Sequence, residues 1–126
     1  MLEAGVVLCG ATALYWHIPP GRSFVSLPED YDLWQIFWKN RDKVTAFAHT
    51  HPGSGRPEPS SEDLSTFKAI EDGLGKRLNW FILSSDTEII CFKVGDIYES
   101  FLLESKYNTP TENEWMSKLR ELSNYK

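Results

Sequence analysis

Cysteine is scarce in this chain: two among 126 residues, Cys9 and Cys91, far apart and each in apolar surroundings. So sparse a pair excludes the dense disulfide framework of small secreted domains, and both are expected to be reduced core residues. No apolar run approaches the roughly 18–20 residues of a membrane span. The first residues lack the basic start of a secretory signal. A cytoplasmic protein with no membrane partner is therefore expected. Basic residues are in deficit, thirteen Lys and Arg against eighteen Asp and Glu, for a net charge of −5. That balance argues against a nucleic-acid partner held by a positive surface. Repeats, low-complexity tracts and linkers are missing, so residues 1–126 read as a single domain. The motif H-E-x-x-H is also missing, which excludes a thermolysin-like zincin.

What is present is ordinary for a globular protein, with 41% hydrophobic and 25% charged residues. A chain of this length buries roughly two-thirds of its unfolded surface and needs no metal to fold, so a metal here would be catalytic. Ala4 to Leu8 and Thr12 to Ile18 read as strands, the second ended by Pro19-Pro20-Gly21. Phe24 to Leu27 suggests a further short strand. Leu33, Ile36 and Phe37 make a helical stripe within Asp30 to Asn40, with Trp34 and Trp38 on its flank. Val44 to His51 reads as a strand and Pro52 to Pro59 as a loop. Ser60 or Ser61 then caps a helix carrying Leu64, Phe67 and Ile70 inward, to Gly73 or Gly75. Asn79 to Leu83, Glu88 to Val94 and Ile97 to Leu103 read as strands. Thr111-x-x-Glu114 is a capping-box pattern opening a C-terminal helix over 111–126, with Trp115, Leu119 and Leu122 on one stripe. This order predicts the α/β class, a mixed β-sheet flanked by helices.

The chemistry concentrates between Ala48 and Asp63. His49 and His51 are two apart, and in a strand such residues share one face, so their imidazoles converge. A carboxylate in the first turn of the following helix completes a three-ligand set, and Asp63 stands there. Two neutral imidazoles, one carboxylate and an open position suit a catalytic zinc ion. The set leaves the ion with residual positive charge, which favours ionising water near neutral pH. Taken alone, an H-x-H is more often a pair of structural histidines, and Ser60-x-x-Asp63 is more often a capping box. Together, a strand end, a tight loop and a helix start deliver these groups to one point. His17, on a strand before Pro-Pro, is expected to be an exposed or edge residue rather than a ligand.

Glu3, His49-Thr50-His51-Pro52 and Pro59-Ser60-x-x-Asp63 together resemble the JAB/JAMM motif of the MPN domain family. Its pattern is an upstream Glu, then H-x-H-P, then P-S-x-x-D. The stretch from Glu3 to Gly10 is similar to the family's Glu-led apolar strand ending in Gly, and the resemblance runs from Glu3 to about Leu103. The loop from His51 to Ser60 looks one residue longer than is usual in the family. The family normally has a helix before the catalytic Glu, and only two residues precede Glu3 in this sequence; either a partner or the Trp115-bearing helix is expected to cover the surface that helix would cover. The short length is similar to that of prokaryotic or phage-type members.

The resemblance implies a single MPN/JAB-like domain with cytidine-deaminase-like layering. It implies that His49, His51 and Asp63 bind one Zn2+ and that Glu3 is the general base, later the acid. Ser60 would donate to the oxyanion. Glu58 and Glu62 are alternative bases, Glu62 being expected to point away from Asp63. The implied reaction is hydrolysis of an amide or isopeptide bond at the C-terminal tail of a ubiquitin-like protein, which is the expected partner as substrate. If exposed, Trp34 and Trp38 would offer a patch for such a protein or a neighbouring subunit. Two alternatives remain: a non-catalytic MPN scaffold subunit, and a RadC-like protein associated with DNA repair.

Overall fold

The computed structural model describes residues 2–103 and 114–123. The pattern at Thr111 lies outside the described residues. Six strands form one mixed sheet: β1 (Gly5–Cys9), β2 (Thr12–His17), β3 (Ala46–Thr50), β4 (Asn79–Leu83), β5 (Glu88–Val94) and β6 (Ile97–Leu102). The spatial order is β2-β1-β3-β4-β5-β6. Neighbours are antiparallel except β3 and β4, which are parallel. A parallel pair needs a crossover, and α2 (Ser61–Leu74) supplies it. The remaining helices are α1 (Tyr31–Lys39) and α3 (Glu114–Leu122).

Alternation along the central strands divides the core into two layers. Val7, Phe47, Trp80, Ile82 and Ile89 pack against Leu33 and Phe37 of α1 and Phe67 and Ile70 of α2. On the other face Ala4, Val6, Leu8, Ala46 and Ala48 receive Trp115, Met116 and Leu119 of α3. The small Ala46 and Ala48 leave room for the Trp115 indole, which lies against the Phe81 ring at 5.4 Å between centroids. The final helix thus covers the outer face of β1. Burial on both faces explains why β1 and β3 read as continuous apolar runs.

Two local devices shape the layer that carries α1 and α2. Gly5 leaves space for the Phe47 ring, since a Cβ at this position would lie 2.5 Å from Phe47 Cζ. The buried Glu71 carboxylate accepts hydrogen bonds from the Leu78 N–H (2.8 Å), the Trp80 indole N–H (2.9 Å) and the Tyr98 hydroxyl. A buried carboxylate is tolerated where its oxygens are satisfied in this way.

Several sequence expectations need correction. Phe24 to Leu27 is not a strand; Ser23 N–H donates to Ser26 O across a turn (2.9 Å) and leaves Phe24 and Val25 exposed. His17 is on the edge strand β2 yet is buried, because the following loop folds back over it and Pro28 O meets its Nε2 at 2.6 Å. A carbonyl only accepts, so Nε2 carries the proton. Both thiols are free, but only Cys91 is a core residue, Cys9 being half-buried at the end of β1. The two tryptophans of α1 separate: Trp34 packs against the core, while Trp38 is 56% exposed beneath the Arg41 guanidinium. Among the described residues no helix is long and apolar enough to cross a membrane.

Candidate functional site

Three chain segments meet at the C-terminal end of β3. Parallel pairing with β4 and antiparallel pairing with β1 make this point a reversal in the sheet, where open α/β folds leave a crevice. Gly5 pairs with His49 and Val7 with Phe47. Carried two residues further, the same register sets Glu3 across from His51. From His51 the chain leaves through a loop whose Gly53 and Gly55 have φ of +120° and +84°, conformations that favour glycine. The loop is pinned by Ser85 N–H to Gly53 O and Gly55 N–H to Asp86 Oδ1, both 2.8 Å. Arg56 pairs with Glu58 and donates to Ser100 O at 3.1 Å. The loop so held delivers Ser60, the N-cap of α2, beside β3.

The donors converge there. His49 Nε2 and His51 Nε2 are 3.1 Å apart. His49 Nε2 lies 3.3 Å from Asp63 Oδ1, and His51 Nε2 lies 3.0 Å from Asp63 Oδ2. Metal–ligand distances near 2.0–2.1 Å put tetrahedral neighbours at about 3.3–3.4 Å, so these separations fit a shared ion. Glu3 joins the two histidines in a wider set whose ligand atoms all lie within 4.8 Å of one another. The Glu3, His49 and His51 group could therefore hold a metal ion. Asp63 closes a tighter triangle on the same two histidines than Glu3 does.

Asp63 also belongs to the capping box of α2. Ser60 Oγ accepts the Asp63 N–H at 3.0 Å, and Asp63 Oδ2 accepts the Ser60 N–H at 2.9 Å. That second bond fixes the carboxylate's rotamer toward the histidines. Burial raises the Asp63 pKa, but hydrogen bonds from His49 and His51 and the Ser60 N–H outweigh it and hold the carboxyl well below the usual range. Burial lowers the His51 pKa, but its hydrogen bond to Asp63 and the charges of Asp63 and Glu3 leave it raised. For Glu3 burial dominates and raises the pKa, only partly offset by His49 and His51.

Glu3 is held by Thr50 of the motif and by residues outside it. Its N–H donates to Ser23 O at 2.8 Å, and Arg22 Nη1 donates to both Glu3 O (3.3 Å) and Leu122 O (3.1 Å). Ala4 N–H donates to Thr50 Oγ1 at 3.0 Å, and that hydroxyl is 2.6 Å from Ser123 Oγ. The C-terminal end of α3 thereby anchors the start of β1 beside β3. No local pattern marks Arg22 or Ser123, because their role arises from contacts 100 and 73 residues apart in the chain.

A cavity of about 320 Å³ opens at the site and includes Glu3, His49, His51, Ser60 and Asp63 in its wall. Glu62, expected to turn away, lines it as well. Glu58, the other alternative base, is not part of this wall and is drawn to Arg56. No family model matches the chain, and no curated protein matches it at a significant level.

Proposed function

We propose that this protein is a zinc-dependent peptidase or isopeptidase of the JAB/JAMM type, within an MPN-like fold, cutting at the C-terminal tail of a ubiquitin-like protein. What supports the reading is the convergence of His49, His51 and Asp63 within 3.0–3.3 Å of one another, with a buried carboxylate at Glu3 beside them. A merely structural H-x-H has no need of a second, buried carboxylate at Glu3 beside the Asp63 that already pairs with both imidazoles. The same convergence disfavours a non-catalytic scaffold, which has no use for a complete ligand set.

His49, His51 and Asp63 would hold the ion, which when bound supplies Lewis-acid polarisation and a lowered pKa for water. Glu3 takes a proton from the attacking water on its carboxylate and returns it to the leaving amine. Its burial-raised pKa brings it closer to neutrality, where a group serves best in both directions. The Ser60 hydroxyl accepts the Asp63 N–H through a lone pair, leaving its proton for the oxyanion of the tetrahedral intermediate. Thr50, Ser123 and Arg22 keep the Glu3 backbone in place against β3.

Metal analysis of protein purified without chelator tests the reading. One zinc per chain is expected, lost in His51→Ala while the circular dichroism spectrum stays native. Protein that neither contains zinc nor takes it up would overturn the assignment.

A further inference from the structure

We infer that the mouth of the cavity is a recognition site for a cationic side chain, guanidinium or ammonium, on a substrate residue shortly before the bond to be cut. The cut belongs to the hydrolase reading above; the cation site stands on the cavity wall. Four carboxylates line that wall, Glu3, Glu29, Glu62 and Asp63, and no Lys, Arg, Asn or Gln does. Asp63 pairs with the two imidazoles, and Glu3 lies beside them. A divalent ion bound there would offset those two charges and leave Glu29 and Glu62 uncompensated. Both of these are exposed, and neither makes an ion pair or a hydrogen bond among the described residues.

The wall holds a further acceptor that lacks a donor. His17 is 1% exposed, its Nε2 donates to Pro28 O at 2.6 Å, next to Glu29, and its Nδ1 has no partner among the described residues. Buried polar atoms are nearly always satisfied, so an unpaired acceptor in the wall of a cavity points to a donor that arrives with the ligand. Carboxylates and a bare ring nitrogen call for a group that carries positive charge and several N–H donors. The apolar part of the mouth agrees. Phe24 and Val25 line the same cavity, 66% and 70% exposed, and offer a surface that the methylene stem of an arginine or lysine covers while its head stays with the carboxylates. Glu62 immediately precedes the proposed ligand Asp63, so the cation lies within a few extended residues of the cut. Glycines at the cut itself are compatible, because the residue ahead of them carries the charge.

The first test needs no turnover. Acetylated, amidated Xaa-Gly-Gly peptides with arginine, lysine, citrulline or alanine at Xaa are titrated into the protein as purified and again with zinc added. The backbone amide signals of Glu29 and Glu62 are followed by NMR. The arginine and lysine peptides should bind at least about fivefold more tightly than the two neutral ones, since an exposed ion pair contributes up to about that factor. The preference should shrink as salt is raised from about 0.02 M to about 0.5 M. Glu29→Gln and Glu62→Gln should each lose part of it, and the double variant all of it, with native circular dichroism spectra. Equal binding of the arginine and citrulline peptides, or a preference unchanged in the double variant, would overturn the cation site. In the second test the same four residues precede Gly-Gly in longer peptides, and cleavage by the zinc-loaded protein is followed by mass spectrometry. The ratio of kcat/KM should favour arginine and lysine over citrulline by at least about fivefold. Cleavage indifferent to this residue would overturn the cation site and leave the hydrolase reading intact. Selective binding with no cleavage of any peptide would leave the cation site and overturn the hydrolase reading.

Discussion

Ser60 carries two roles that one substitution separates by magnitude. In Ser60→Ala the Asp63 N–H loses its acceptor at 3.0 Å, while the Ser60 N–H remains to orient Asp63 Oδ2. The cap is exposed, so water partly replaces the lost bond and the expected cost is about 1 kcal/mol of stability. For a domain of this size that is a fall of about 3–5 °C in melting temperature. Zinc content should not change, because the proposed ligands His49, His51 and Asp63 are left in place. If the Ser60 hydroxyl also donates to the oxyanion, kcat should fall by about 10²–10³, equivalent to roughly 3–4 kcal/mol. The assay is turnover of a ubiquitin-like conjugate or a peptide by the zinc-loaded protein, measured beside thermal melts of wild type, Ser60→Ala and Ser60→Thr. Threonine keeps both the cap and the hydroxyl and should restore both quantities. A Ser60→Ala protein with lowered melting temperature and normal kcat would refute the catalytic role and leave only the cap.

Two further outcomes follow from buried carboxylates. Glu3→Gln should retain zinc and lose about 10²–10⁴ in turnover. Because burial raises the Glu3 pKa, the folded state holds the proton more tightly than the unfolded one, and ionisation at neutral pH opposes folding. Metal-free Glu3→Gln should therefore melt no lower than wild type at pH 7; lost zinc would make Glu3 a ligand. Glu71→Ala strands the buried Leu78 N–H and Trp80 indole N–H, at about 1–3 kcal/mol each. The urea midpoint should fall by the equivalent of about 2–6 kcal/mol, and a loss below 1 kcal/mol would show that the network contributes little.

Most of the secondary structure was legible because the signals were local. Asp30 accepts the Leu33 N–H, Ser60 caps α2, and Gly75 ends it in a left-handed conformation, as the residue types at those positions require. The convergence of His49 with His51 follows from the two-residue period of a strand, and Asp63 from the capping box. What was not legible depends on contacts between distant segments. His17 lies on an edge strand, and only the return of the loop at Pro28 buries it. Phe24 to Leu27 alternates too briefly to earn a partner strand, so the turn at Ser23 wins. The support under Glu3 comes from Arg22 and Ser123, whose partners no window of sequence can contain. Glu62 lies at the cavity wall beside Asp63, a placement set by how the start of α2 sits against β3 and not by the helix's own sequence.

If His49, His51 and Asp63 hold zinc as proposed, their pairing sets how zinc affinity responds to pH. In the metal-free protein Asp63 stays ionised far into the acid range, held by His49 and His51, so it contributes no proton release near neutrality. His51 differs: the hydrogen bond to Asp63 and the charges of Asp63 and Glu3 outweigh its burial and raise its pKa above the ordinary 6.5. It therefore holds its proton to higher pH than a free imidazole does, and a metal can bind its Nε2 only after that proton leaves. Zinc affinity should fall as pH drops through the raised His51 value, about tenfold per pH unit for each proton displaced, and level off above it. Asp63→Asn removes the partner that raises His51, so its proton release should shrink along with its affinity. Calorimetric titration with zinc in two buffers of different ionisation heat reads the protons directly. A titration with no proton release between pH 6 and 7.5, and an affinity flat over that range, would mean that His51 is already neutral in the folded protein and that the charge of Asp63 is directed elsewhere.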